Sequence, residues 1–242
     1  MARVESKVNL IAHTQNPLAV IYSACKQCYS KEYVAEIWPK LRAGTISREE
    51  QGKLVKKVVA TGHDSTVEHV SFTFSVAGIS RAASHQLVRH RIASYSQQSQ
   101  RYTDSKDIDY IMPLNIKKIP NAAEYFKQFM ATVSEAYEYL QAELVANGYE
   151  KTANEDARFV LPNACETMIV VTMNCRALLN FFKLRCCRRA QWEIRAVAEQ
   201  MLMLCKQELP EVFRCAGAPC EATGVCPESE KFSCGKYPTI KS

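Results

Sequence analysis

Arg89-His90-Arg91-Ile92-Ala93-Ser94-Tyr95-Ser96-Gln97-Gln98-Ser99-Gln100-Arg101-Tyr102 is the stretch of this chain richest in side chains able to do chemistry. Three arginines, one histidine and three serines fall within fourteen residues, which leaves little material for a core. Guanidinium forks match phosphate oxygens two bonds at a time, and serine hydroxyls add short hydrogen bonds to the same group. Such a loop wants an anion. In a helix Arg89 and Arg91 would face apart, because positions i and i+2 are not neighbours there; on an irregular turn they can splay towards two ligands. Composition alone leaves a solvated basic surface loop as an equal alternative.

Cysteines form the second reservoir of chemistry. Four of the eleven, Cys215, Cys220, Cys226 and Cys234, sit in the last part of the chain, separated by four, five and seven residues. Gly217, Pro219, Gly224, Pro227 and Gly235 make that segment rich in turns. Four thiolates in a small loop can bind zinc or an iron–sulfur cluster, although the spacing matches neither the usual zinc pairs nor a ferredoxin pattern; free thiols or disulfides are the alternative. Cys25 and Cys28 form a C-x-x-C inside an apparent helix and read as small half-buried residues. Cys165 reads as a buried structural thiol, since a reactive one needs an electropositive setting.

The Arg89–Tyr102 stretch resembles the signature of the flavin-dependent thymidylate synthases, R-H-R-x-x-S-x-N-x-x-S-x-R-Y. It matches at Arg89, His90, Arg91, Ser94, Ser99, Arg101 and Tyr102, and it departs at Ser96, where the pattern has Asn. The likeness extends to Gly62, His63, Ser65, Glu68 and His69, to Gln86, to Ala157-Arg158 with Leu161-Pro162, and to Asn174, Arg176, Leu178, Asn180 and Phe181. Leu184-Arg185 and Ala190-Gln191-Trp192-Glu193-Ile194 complete it. It covers about residues 5–210 and leaves out the cysteine tail.

That resemblance implies reductive methylation of dUMP to dTMP. The carbon would come from 5,10-methylenetetrahydrofolate and the reducing equivalent from NADPH through FAD, leaving tetrahydrofolate. It implies that Arg185 lies against the uracil ring and stabilises negative charge there, the kind of electrostatic role usually worth most in catalysis. By the same likeness Ser65, Arg89, His90, Arg91, Gln97, Asn174, Cys175, Arg176 and Asn180 match FAD positions. Gln86, Leu87, Val88, Arg89, Gln97, Gln98, Ser99, Gln100, Arg101, Arg158 and Arg185 match dUMP positions. Gln97 stands where many members have Glu, and Arg189 where a flavin-contacting His is common. The family's active sites lie between the subunits of a homotetramer. On its own residues, Arg185 is a helix-terminal arginine able to satisfy carbonyls, His63 a structural histidine, and Glu68–His69 a half-buried pair.

The elements that must position these residues are legible in part. Residues 8–13 read as a strand, 19–29 as a helix, and Ser47 with Glu50 as a capping box opening a helix to about Thr61. Val70, Phe72, Phe74 and Val76 alternate with Ser71, Thr73 and Ser75, the pattern of a strand with one buried face, and Gly78 reads as its end. Residues 80–88 read as a helix and 92–105 as loop. Asn121 reads as the cap of a long helix whose apolar face is Phe126, Phe129, Met130, Val133, Tyr137, Leu140 and Leu144, stopped by Gly148. A short helix over 154–160, a strand over 167–173 buried on both faces, and helices over 176–184 and 190–209 complete the reading. Strands scattered among helices predict an α+β fold, a mixed or antiparallel sheet with long helices. The chain divides into a main domain, residues 1–210, and a cysteine-rich tail, residues 211–242.

Composition bounds the rest. In 242 residues, 47% are hydrophobic and 23% charged, which excludes wholesale disorder, collagen and a coiled coil. No apolar run approaches the roughly 18 residues of a membrane span. The N-terminus carries charges where an export signal would be apolar, and eleven cysteines are an odd count, so reduced thiols in a cytoplasm are expected. A net charge of +6 fits anionic small substrates as well as nucleic acid. Two other readings stand beside the enzyme: a nucleic-acid-binding protein with a metal-binding tail, and a flavin reductase without methyl transfer. The reading favoured here has small-molecule partners, no nucleic acid and no membrane.

Overall fold

A computed structural model describes residues 5–103 and 109–240. In chain order the elements are β1 (Lys7–His13), α1 (Pro17–Tyr29), α2 (Val34–Arg42), α3 (Arg48–Ala60), a 3-10 turn (Asp64–Val67), β2 (Ser71–Ser80), α4 (Arg81–Leu87) and β3 (Ser94–Gln97). They continue with α5 (Leu114–Lys117), α6 (Pro120–Ala146), α7 (Ala153–Ala157), β4 (Glu166–Asn174), α8 (Cys175–Arg185), α9 (Trp192–Glu208), α10 (Pro210–Phe213) and α11 (Pro219–Thr223). The strands form one sheet in the order β1-β2-β4-β3, an α+β fold as expected. β2 runs antiparallel to its neighbour β4: Thr73 Oγ1 meets Thr172 Oγ1 at 2.9 Å, while farther along β2 the Gly78 amide donates to Glu166 Oε1 at 2.8 Å.

The chain gathers into two compact units. The first holds the described parts of residues 1–7, 76–89 and 95–170; the second holds the described parts of 8–75, 90–94 and 171–242. The boundary expected at residue 210 is not a division of the fold, since the tail clusters with α8 and α9 in the second unit.

The first unit is organised by α6, whose buried residues Met130, Val133 and Tyr137 follow the expected spacing. Met130 packs with Tyr110, Met112 and Cys165, and Phe126 and Leu161 close around them. The helix begins at Pro120 and not at an Asn121 cap, because proline's fixed φ and missing N–H suit a first helical position. Phe129 and Leu140, expected inside, are 49% and 37% exposed. Gly78 does not end β2. The strand passes through it with φ +68°, and a Cβ there would overlap the Glu5 carbonyl, so only glycine lets the backbones approach. Burial on β4 alternates, with Thr167, Ile169, Val171 and Met173 inside and Met168 exposed, so this strand has one covered face and not two. Within the expected loop, Ser94–Gln97 forms β3, anchored where the Tyr95 hydroxyl donates to the Leu87 carbonyl at 2.8 Å.

The second unit packs Phe72, Phe74, Phe181, Phe182 and Phe213 into its core, all fully buried. Phe213 stands edge-on to Phe72 at 5.8 Å and to Phe182 at 5.9 Å, the arrangement that sets ring edges against ring faces. Ser47 caps α3 by accepting the Glu50 amide at 3.2 Å, as expected. Helix α2 was not anticipated from the sequence. In α1, Cys25 is buried and Cys28 exposed, which leaves the C-x-x-C a packing feature.

Candidate active site

In the second unit the site is built on the β4–α8 junction. Asn174 ends β4 and caps α8, its Oδ1 accepting the Ala177 amide at 2.8 Å. Leu178, Phe181 and Phe182 bury one face of α8, and Arg185 is its last residue. Arg185 Nε donates to His90 Nε2 at 3.0 Å, and the His90 ring stands edge-on to Phe181 at 4.9 Å. Burial, followed by the Arg185 charge, holds His90 down to about 4 from its ordinary value. At neutral pH this imidazole is therefore uncharged and accepts at Nε2, which makes it a neutral clamp on a cation. The terminal guanidinium nitrogens of Arg185 have no protein partner among the described residues.

Other predicted positions in this unit divide into free and committed. Ser65, Arg91 and Asn180 are exposed and their side chains meet no protein partner among the described residues. Arg176 is paired with Glu68, so the expected Glu68–His69 pair is replaced by one across the unit, and His69 is exposed. The Cys175 amide donates to the Val70 carbonyl at 2.8 Å and burial pushes its thiol up, so this residue serves the packing around it. His63 Nδ1 bonds the Tyr29 hydroxyl, with the two rings stacked at 5.8 Å.

The first unit carries the other cluster. Gln97 Nε2 donates to Ser84 Oγ at 3.0 Å and to Thr167 Oγ1 at 3.2 Å. The Gln98 amide donates to the Met168 carbonyl at 2.9 Å, and its own carbonyl accepts Arg81 Nη2 at 2.9 Å. Arg101 holds Glu155 with Nε at 2.8 Å and Nη2 at 2.7 Å, and its amide donates to Ser99 Oγ at 3.2 Å. Arg158 Nε donates to the Glu155 carbonyl at 3.1 Å. Gln86 and Gln100 are half-buried, while Val88 and Arg89 are exposed. Leu87 is fully buried with its carbonyl taken by Tyr95, so any contact it makes with a ligand is through the remaining backbone.

Sequence reasoning missed Arg81. Its Nε is buried without a partner among the described residues, and burial, partly offset by Cys165, lowers its affinity for a proton. The side chain is half-buried and its Nη2 is taken by the Gln98 carbonyl, which leaves Nε as a donor still to be answered. The signal available in the sequence was an arginine just after the cap Ser80, on a helix otherwise made of small residues.

The tail differs from its expectation. Cys186, Cys187, Cys220, Cys226 and Cys234 border a cavity of about 380 Å³ beside Arg185, and Cys215 is exposed and does not border it. Among the described residues no three His, Cys, Asp or Glu side chains stand close enough to grip one metal ion, so the set Cys215, Cys220, Cys226 and Cys234 is not a formed metal site. Arg189 pairs with Glu228 and lies 5.2 Å over the Phe232 ring; Lys236 pairs with Glu221, which also accepts the Tyr237 hydroxyl at 3.2 Å. Cys165 is fully buried and its thiol is pushed up to about 11, as a structural residue should be.

Within the second unit, Arg91, Ser65 and Asn180 offer a cation, a hydroxyl and an amide without protein partners among the described residues, donor types that suit a phosphate and a polyol.

Comparison with known proteins bears on these residues. The family model described as thymidylate synthase complementing protein matches residues 9–211. A flavin-dependent thymidylate synthase of Nitratidesulfovibrio vulgaris is 55% identical over 243 residues, covering 100% of this chain and 99% of that one, so the likeness includes the tail. One of Clostridium tetani is 46% identical, covering 97% and 95%. Among solved structures, the flavin-dependent thymidylate synthase of Helicobacter pylori complexed with FAD and dUMP is 26% identical, covers 87% of this chain and 99% of that one, and has a TM-score of 0.61. The UMP/dUMP methylase of Streptomyces cacaoi bound with 5-Br dUMP shares the fold at a TM-score of 0.68 and 23% identity, over 88% of this chain and 94% of that one.

Proposed function

This chain belongs to the flavin-dependent thymidylate synthase family, and from that premise we propose that it methylates dUMP to dTMP with FAD as its cofactor. The carbon donor in this reading is 5,10-methylenetetrahydrofolate and the reductant NADPH. When bound, FAD supplies the redox chemistry that delivers reducing equivalents to the transferred carbon. The protein's part is to bind, orient and place charge.

The observation that carries the reading is the Arg185–His90 pair. A uracil ring that is attacked at carbon gathers negative charge on its nitrogen and carbonyl oxygens. A fixed guanidinium against those atoms stabilises that charge more than it stabilises the neutral ground state, which is what lowers a barrier. His90 holds Arg185 by its Nε and stays neutral, so it orients the cation without cancelling it. In the first unit, Arg101, Arg158 and Ser99 supply the donors for the nucleotide phosphate, and Gln97 and Gln98 shape the loop that carries them. Phosphate binding exchanges Arg101 from Glu155 to the ligand.

The assembly proposed is a homotetramer with shared sites. Support comes from α6, where Tyr125, Phe129 and Tyr139 are large and exposed, more apolar surface than a lone helix face usually leaves to water. A cytoplasmic enzyme is proposed; among the described residues no helix is long and apolar enough to cross a membrane.

The test is product formation. Purified protein should show a flavin spectrum and convert dUMP to dTMP only when FAD, methylenetetrahydrofolate and NADPH are all present. Flavin uptake with NADPH oxidation and no dTMP would leave a flavin reductase. Failure to take up FAD, with binding to nucleic acid, would overturn the enzyme reading altogether.

A further inference from the structure

In the first unit the bonds that hold the start of the Gln97–Arg101 stretch converge on the first turn of α4. The Gln98 amide donates to the Met168 carbonyl on β4 at 2.9 Å, and the Gln98 carbonyl accepts Arg81 Nη2 at 2.9 Å. One residue earlier, Gln97 Nε2 reaches Ser84 Oγ at 3.0 Å, and that hydroxyl donates to the Arg81 carbonyl at 3.0 Å. Arg81 is itself fixed to the end of the sheet, its amide donating to the Cys165 carbonyl at 3.0 Å. Both backbone groups of Gln98 are therefore taken, one by β4 and one by a half-buried guanidinium.

The direction of the next amide follows from the planarity of the peptide. In a trans peptide the carbonyl of one residue and the N–H of the next point to opposite sides, and no peptide bond among the described residues is cis. With the Gln98 carbonyl turned to Arg81, the Ser99 N–H is turned away from it, and it meets no protein acceptor among the described residues. Ser99 Oγ accepts the Arg101 amide at 3.2 Å, which leaves its O–H proton to donate elsewhere. A backbone amide and a hydroxyl on one residue, with the Arg101 guanidinium two residues on, are a donor set for a phosphate.

Burying part of a guanidinium costs free energy that one bond to a neutral carbonyl recovers only in part. Burial lowers the proton affinity of Arg81, Cys165 offsets part of this, and the Arg158 charge adds to it, which puts the two arginines within electrostatic reach of each other. An anion bound near both relieves that repulsion. We propose that Arg81 is a positioning residue for the nucleotide phosphate: by holding the Gln98 carbonyl it directs the Ser99 amide to the phosphate, and its charge adds to the attraction. The proposal rests on the reading that Ser99 and Arg101 bind dUMP.

The experiment measures the dissociation constants of dUMP and of deoxyuridine, which lacks the phosphate, for the flavin-loaded enzyme. Their ratio isolates what the phosphate contributes, and a purely structural role would move both constants together. Arg81→Met removes the donor and the charge at similar length. It should weaken dUMP about fivefold, the scale of one hydrogen bond lost from the Ser99 amide, and change deoxyuridine less than about twofold. Arg81→Lys keeps a charge and a donor and should restore most of the ratio. A ratio unchanged in Arg81→Met, or a lysine variant no better than the methionine one, would overturn the assignment. A native enzyme that holds dUMP no better than deoxyuridine would instead overturn the dUMP reading, and the assignment with it. Folding of each variant is checked by circular dichroism and flavin uptake. Should Arg81→Met not fold, hydrogen exchange in the native protein decides the matter: dUMP should slow exchange at the Ser99 amide and deoxyuridine should not, and any other pattern would overturn the assignment.

Discussion

Arg185 and Arg189 stand four residues apart, and the protein answers their charges in opposite ways. Arg185 is held by a neutral histidine nitrogen, which directs the guanidinium and leaves its charge whole. Arg189 is met by the Glu228 carboxylate and the face of Phe232, so its charge is answered within the protein. The first unit repeats the contrast. Arg81 meets a carbonyl and has a buried nitrogen without a partner among the described residues, whereas Arg101 meets Glu155. A cation positioned by neutral groups is prepared for a negative ligand. A cation already paired either holds the frame or must exchange its partner before it can bind anything.

The largest effect should come from Arg185→Ala. With the neutral-clamped cation gone, kcat should fall roughly 10²–10³-fold, as when one donor to a developing anion is removed. Affinity for dUMP should change far less, which isothermal titration of the flavin-loaded enzyme checks. Unchanged kcat at saturating nucleotide would erase the distinction between Arg185 and the paired arginines.

Next in size, Arg101→Ala should weaken dUMP binding about tenfold, less than a lost charge-assisted bond from an unpaired arginine, because the native side chain must first leave Glu155. Glu155→Gln should act the other way and tighten dUMP about two- to threefold, the scale of a partly exposed ion pair. If Glu155→Gln weakened binding, the exchange of partners would be wrong.

Acid should act through His90. Its folded value, about 4, lies below its ordinary 6.5, so between those values the unfolded chain binds the proton and the folded one resists it. Stability present above pH 6.5 should therefore be lost progressively as pH falls towards 4. His90→Gln keeps an acceptor for Arg185 without the titration. Thermal melting over that pH range should show a shallower acid decline in the variant; identical declines would assign the loss to other groups.

The smallest effect belongs to the tail's paired cation. Glu228→Gln should change stability by less than about 1 kcal/mol, as exposed ion pairs do, and leave kcat unaltered. A large loss of turnover would mean that Arg189 acts with Arg185 and not as part of the frame.

Local periodicity and short motifs were enough to place β1, α1, the Ser47-capped α3, the alternating face of β2, the long α6 and the α+β class, because each rests on neighbours within a few residues. The signature from Arg89 to Tyr102 pointed to the family for the same reason: it lies in residue types at fixed spacing. What tertiary structure alone decided involves partners far apart in the chain. Gly78 reads as a strand end until Glu5 is seen pressed against it. His90 and Arg185 are 95 positions apart, and neither residue's surroundings in the sequence announce the other. Arg81 looks like an ordinary helix residue until packing buries its nitrogen. Sequence proximity grouped Cys215 with the other tail cysteines, but the fold leaves it off the cavity that Cys220, Cys226 and Cys234 border together with Cys186 and Cys187. Spacing specifies which face of an element is apolar; which distant groups meet across that face is set by how the elements pack, and it is there that charge, burial and the site's chemistry are determined.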